Sequence, residues 1–176
     1  SHKKVARVSF TGGPGAARQI LHNSAENFAE VSLELGGKSP FIVFEDANIE
    51  SAVNGSIAGI FGATGQSCVA GSRLYLQEDI ADEFLARMKA AAEDILIGDP
   101  LAEETQMGPL CTVGQRDVIE REVAHAVSEG GSVLCGGKRP NGLDGIYFEP
   151  TIIDCPRQDL RIVDTELFGP VVSVLR

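Results

Sequence analysis

The sequence predicts an α/β fold, with a mostly parallel sheet and flanking helices. Two observations predict it. Short segments with strand-like patterning alternate with longer ones whose apolar residues recur at helical spacing. Hydrophobic residues make up 43% of the 176 residues, enough to bury the core such a fold needs.

Residues 4–10 alternate and predict a first strand, broken by Thr11-Gly12-Gly13-Pro14-Gly15. Residues 16–25 suit a helix, with Pro14 near its start, where a missing N–H does no harm. Residues 31–35 alternate again and stop at Gly36-Gly37. Residues 40–44 are almost continuously apolar, as in a strand buried on both faces. Asp46-Ala47-Asn48 offers a cap to a helix over 49–61. Residues 73–76 form the next strand. Ile80, Phe84, Leu85, Met88 and Ile95 then share one helical face. Val118, Ile119, Val123, Ala126 and Val127 share another, which Gly130-Gly131 stops. Residues 132–135, 147–153 (broken by Pro150) and 170–175 complete the strands, and 137–145 form a surface loop.

Composition narrows the function. A net charge of −10 lacks the basic stripe of a nucleic-acid binder. No apolar run approaches the roughly 18 residues that span a bilayer, so no membrane partner is expected. No apolar signal segment is visible near the N-terminus, and Cys68, Cys111, Cys135 and Cys155 match no Cys-x-x-Cys pattern. Free thiols in a reducing, cytoplasmic setting are therefore expected. His2, His22 and His125 form no pair at ligand spacing, so no metal site is expected. The chain opens just before a strand and closes inside one, without an initiator Met, which suggests a fragment, a processed chain or an excised domain.

Four motifs can carry chemistry. In Gly65-Gln66-Ser67-Cys68-Val69-Ala70-Gly71, a cysteine sits on a glycine-bounded turn between helix and strand. Such a turn can expose the sulfur and aim backbone N–H groups at a developing oxyanion. In Leu33-Glu34-Leu35-Gly36-Gly37-Lys38, a carboxylate at a strand end precedes glycines that permit close backbone approach; such a Glu can act as a general base. Phe10-Thr11-Gly12-Gly13-Pro14-Gly15 can hold a pyrophosphate at a helix N-terminus. In Glu166-Leu167-Phe168-Gly169-Pro170, the Glu can accept hydrogen bonds from ribose hydroxyls and the Phe can pack on a flat ring. Taken singly, each is better read as ordinary structure: a buried inert cysteine, a surface Glu, a tight turn, a packed loop.

In order and spacing, the four together resemble the aldehyde dehydrogenase superfamily, over essentially the whole chain. Gly98-Asp99-Pro100, Gly108-Pro109, Gly136-Gly137 and Glu149-Pro150-Thr151 agree with it. The resemblance implies that residues 1–33 are the end of a coenzyme-binding domain. Residues 34–176 would then be the catalytic domain, incomplete at its C-terminus. It implies Cys68 as nucleophile and Glu34 as general base. It places Gly12 and Gly13 near the cofactor pyrophosphate, Leu35 and Gly36 near the nicotinamide, Glu166 on the nicotinamide ribose and Phe168 beside it. The implied cofactor is NAD or NADP and the substrate a small aldehyde. The implied product is a carboxylic acid, formed through a thioester; Glu34 implies the hydrolytic branch over acyl transfer to coenzyme A. A homo-oligomer, dimer or tetramer, is expected of the full-length protein, and little or no activity of this chain alone. Two departures, Gly13 where many members have Ser and Ala17 where a later glycine is usual, bear on phosphate binding. Two rival readings fit the residues: a cofactor-independent thiol esterase using Cys68 and Glu34, and a non-catalytic, oligomer-forming module.

Overall fold

The computed structural model describes residues 2–176, which fall into two compact units, one running to Gly37 and the other Lys38–Arg176. The first unit is a strand–helix–strand: β1 (Arg7–Thr11), α1 (Pro14–Ser24) and β2 (Glu30–Glu34). The strands pair in parallel, from Arg7 opposite Glu30 to Thr11 opposite Glu34. β1 starts three residues later than its alternation suggests. The Glu30 N–H takes the Ala6 carbonyl, while the carbonyls of His2 and Val5 are taken by the Asn27 side-chain amide, at 3.1 and 2.8 Å. The His2 and Val5 carbonyls are thus tied to a side chain rather than to the partner strand.

In the second unit, β3 (Pro40–Val43), α2 (Ile49–Phe61), β4 (Arg73–Leu76), α3 (Glu78–Glu93), α4 (Val113–Ser128), β5 (Ser132–Cys135), β6 (Thr151–Asp154), α5 (Arg161–Asp164) and β7 (Val171–Leu175) follow in order. The sheet runs β3-β4-β7-β6-β5, parallel except for β5 against β6. Period-two alternation sends successive side chains to two cores. Leu74, Leu76, Ile152, Val172 and Val174 face Ile60, Phe61, Phe84 and Met88 of α2 and α3. Ile153, Val171 and Leu175 face Ile119, Val123, Ala126, Ile162 and Val163 of α4 and α5. Every residue of β7 is buried, as a central parallel strand covered on both faces requires.

Four expectations need correction. β3 is an edge strand: Val43 is buried, but Ile42 is 58% and the following Phe44 64% exposed. Only the Phe41 and Val43 side joins the core beside α2, so one apolar face is left uncovered within the unit. Ile95 packs on the first core from beyond the end of α3 at Glu93. Val127 is exposed, and Glu122 takes the buried α4 position, held by the Arg161 guanidinium at 2.7 Å. The segment 147–150 is irregular, and its ladder starts past Pro150, where the Thr151 N–H reaches the Pro170 carbonyl.

The start of α2 comes from its cap: the Asn48 side chain accepts the Ser51 N–H at 2.9 Å. Asn48→Ala is expected to cost about 1 kcal/mol, measured as a lower midpoint in urea unfolding at unchanged slope.

Candidate active site

The cysteine loop starts where α2 cannot continue. After Phe61, the backbone turns left-handed at Ala63 and Thr64 (φ 50° and 57°) and again at Gly65 (φ 67°). Left-handed backbone costs a non-glycine residue roughly 1–2 kcal/mol, so it persists only where surroundings over-determine it. They do here. The buried Thr64 hydroxyl donates to the Gly108 carbonyl at 3.2 Å, and the Gln66 side chain accepts the Cys111 N–H at 2.9 Å. Gly65 leaves no room for any side chain: a Cβ would lie 2.1 Å from the Gly169 carbonyl oxygen.

Past these anchors the chain makes a tight turn. The Ala70 N–H reaches the Ser67 carbonyl at 3.2 Å, and the Ser67 hydroxyl accepts the Val69 N–H at 3.4 Å. Ala70 is buried, and Gly71 bonds back to Gly59 before the chain enters β4. Cys68 sits exposed at the tip, between two fixed ends.

The thiols divide by environment. Cys135 and Cys155 are buried, and burial pushes both up to about 11. Neither offers appreciable thiolate near neutral pH. Cys68 and Cys111 are the exposed pair, and only Cys68 lies on the turn.

The Glu166-Leu167-Phe168-Gly169-Pro170 segment meets this loop through the close Gly65 and Gly169 contact. Leu167 is buried, while Glu166 and Phe168 on either side of it are exposed, Phe168 by 40% and with φ 49°. The Leu167 carbonyl is held by the side-chain amide of Gln115. Gln115 is a residue the motif reading missed. Its signal is Thr112-x-x-Gln115 at the start of α4, where the Thr112 hydroxyl accepts the Gln115 N–H at 3.1 Å. Cys68, Glu166 and Phe168 therefore belong to one connected set of loops.

The first unit groups the other candidates. Thr11 pairs with Glu34, and the Gly12 N–H donates to the Glu34 carbonyl at 3.0 Å. Gly12, Gly13, Glu34, Leu35 and Gly36 thus share the carboxyl end of the β1–β2 pair, where open α/β sheets bind ligands. No side chain caps the first turn of α1 and no acidic residue lies in it. Nothing lies within 4 Å of where side chains would start at Gly13 and Gly15. That leaves the N-terminus of α1 open to an anion, without the hydroxyl a Ser at position 13 would add. Among the described residues, no group of three or more His, Cys, Asp and Glu could hold a metal ion. No helix among them is long and apolar enough to cross a membrane.

A helix-flanked, mostly parallel sheet with an exposed cysteine on a fixed turn at a strand entrance defines an α/β protein. The model of the aldehyde dehydrogenase family matches residues 1–176. The chain is 54% identical over 175 residues to (Z)-2-((N-methylformamido)methylene)-5-hydroxybutyrolactone dehydrogenase of Acinetobacter baylyi, covering 99% of this chain and 36% of that protein. It is 44% identical over 177 residues to betaine aldehyde dehydrogenase of Rhizobium leguminosarum bv. trifolii, with the same coverage. Among solved structures it resembles PnpE in complex with nicotinamide adenine dinucleotide (TM-score 0.96, 47% identity, 99% of this chain and 36% of that one). It also resembles betaine aldehyde dehydrogenase from Staphylococcus aureus in complex with NAD+ (TM-score 0.95, 41% identity, 99% and 35%). The chain belongs to the aldehyde dehydrogenase family. It spans about a third of the length of these relatives.

Proposed function

We propose that this chain carries the nucleophile and part of the cofactor site of an aldehyde dehydrogenase that oxidises a small aldehyde to a carboxylic acid with NAD or NADP. The observation that carries this is the exposed Cys68 on a turn whose Gly65 is locked against Gly169, beside Glu166 and Phe168. Each unit carries groups of a kind a dinucleotide uses: the first an uncapped helix end suited to a pyrophosphate, the second a carboxylate suited to a ribose and a half-exposed ring. Residues 1–33 are read as the end of a coenzyme-binding domain and 34–176 as catalytic domain. Gly12 and Gly13 lie near the pyrophosphate, Leu35 and Gly36 near the nicotinamide, Glu166 on the ribose and Phe168 beside it. The complete protein is read as a cytoplasmic homo-oligomer.

The Cys68 thiolate adds to the aldehyde carbon, giving a tetrahedral oxyanion. A nicotinamide cofactor, which Gly12, Gly13, Leu35, Gly36, Glu166 and Phe168 would hold, would supply the hydride acceptor, and Cys68 would then carry the acyl group as a thioester. Glu34 takes a proton from water, which cleaves the thioester, releases the carboxylate and restores the thiol. One difficult oxidation becomes two easier steps.

The test is steady-state kinetics of the complete protein with NAD+ and NADP+ over an aldehyde panel, in which one carboxylate should form per reduced cofactor. Absence of reduced cofactor with every aldehyde sinks the reading. The 176-residue chain by itself is expected to turn over little or no aldehyde, since it covers 36% of its relatives' length. Turnover of the isolated chain comparable to that of the complete protein would refute that expectation.

A further inference from the structure

The turn that carries Cys68 is bonded to itself. The Ala70 N–H donates to the Ser67 carbonyl and the Val69 N–H to the Ser67 hydroxyl, so residues 67–70 hold one another. Behind Cys68 the turn is fixed, because Ala70 is buried and the Gly71 N–H donates to the Gly59 carbonyl. Ahead of Cys68 lies Gln66, which has no role in the mechanism above. Among the described residues, Gln66 is the one member of 66–69 that hydrogen-bonds outside the loop. Its backbone stands at φ −90° and ψ 57°, close to an inverse γ-turn, and there the chain changes direction into the cysteine turn. Its N–H donates to the Ala63 carbonyl at 3.0 Å, and its side-chain oxygen accepts the Cys111 N–H at 2.9 Å.

The donor of that last bond is held from both sides. Leu110 is buried, and its N–H donates to the Ile146 carbonyl at 2.8 Å. Thr112 caps α4, its hydroxyl accepting the Gln115 N–H. Cys111, exposed between them, meets Gln66 with its backbone N–H and not with its thiol. An N–H can be met only by an acceptor, so the oxygen of the Gln66 amide must face it. We propose that Gln66 is a positioning residue for the nucleophile: its bond to the Cys111 N–H sets the direction in which the cysteine turn leaves the loop, and so the aim of the Cys68 sulfur at the aldehyde carbon. This rests on the reading of Cys68 as the nucleophile. Attack on a bound carbonyl depends on alignment, and a misplacement of about 1 Å can cost roughly 100-fold. Without the bond, the exposed thiol keeps its chemistry and loses its aim.

The test measures, on the complete protein, the rapid-mixing burst of reduced cofactor and the affinity for reduced cofactor by fluorescence titration. Gln66→Met keeps the side-chain length without the acceptor, and Gln66→Glu keeps an acceptor. Cys111→Pro removes the donor N–H, and Cys111→Ser keeps it. Gln66→Met and Cys111→Pro should each slow the burst roughly 10- to 100-fold, with cofactor affinity unchanged. A merely structural anchor would weaken cofactor binding along with the burst, and that result rejects the role. Gln66→Glu should recover most of the lost rate, and Cys111→Ser should burst like wild type. The Gln66→Met/Cys111→Pro double variant should be no slower than either single one, since both remove the same bond. A wild-type burst in Gln66→Met, losses that multiply in the double variant, or a slow burst in Cys111→Ser would overturn the proposal. If Cys111→Pro does not fold, Gln66→Met against Gln66→Glu decides, and equal rates reject the role. A wild-type burst in Cys68→Ala would instead bring down the reading of Cys68, and this proposal with it.

Discussion

Cys68→Ala is expected to abolish aldehyde oxidation by the complete protein, by roughly 10³-fold or more, because a nucleophile removed from a covalent mechanism has no substitute. Glu34→Gln should behave differently. If Glu34 serves the hydrolytic step alone, the thioester still forms. Rapid mixing should then show a burst of about one reduced cofactor per site, followed by turnover slowed roughly 10²–10⁴-fold, the usual contribution of a general base. Cys68→Ala should show no burst. A burst retained without the thiol, or lost without the carboxylate, would reassign both roles. The two variants also separate the rival readings. A cofactor-independent thiol esterase loses ester hydrolysis in Cys68→Ala and never requires a cofactor for turnover, whereas a non-catalytic module is indifferent to both substitutions.

Gly65→Ala is the substitution expected to do most damage without touching a reacting group. At φ 67° an L side chain is strained, and the new Cβ would lie 2.1 Å from a backbone oxygen at Gly169. That oxygen cannot easily retreat, because Gly169 is itself pressed against Ile119 and Leu110 of the second core. Left-handed strain of about 1–2 kcal/mol adds to overpacking of about 1–3 kcal/mol. A loss of about 2–5 kcal/mol is expected in chemical denaturation. The displaced Glu166-Leu167-Phe168-Gly169-Pro170 segment should weaken cofactor binding, and the loosened loop should change the alkylation rate of Cys68. An unchanged unfolding midpoint would show that the two loops yield independently.

Much of the fold is legible in the residues. α2, β4 and β5 begin and end where capping and patterning place them, because Asn48 is a good cap and the apolar periods of these segments are clean. The family is legible too, since Cys68, Glu34 and Glu166 stand in motifs whose order is specific, and its model matches residues 1–176. Other features depend on which element lies next to which. Continuous apolar character in 40–44 cannot distinguish a central strand from an edge strand, and Ile42 and Phe44 prove exposed. The 3.6-residue period admits Glu122 to the buried side of α4 only because Arg161 is there to receive its carboxylate.

By itself the sequence determined the α/β class, the bounds of α2, β4 and β5 and the chemistry-bearing residue types, because these follow from local propensity and spacing. Only the tertiary structure decided that Cys68 is held out on a fixed turn while Cys135 and Cys155 are buried beyond reach of thiolate chemistry. It alone set Gly65 against Gly169 and placed Gln115 on the Leu167 carbonyl. The reason is physical. Close approach arises between segments far apart in the chain, 52 positions for Gln115 and Leu167 and 104 for Gly65 and Gly169, and no local pattern records it.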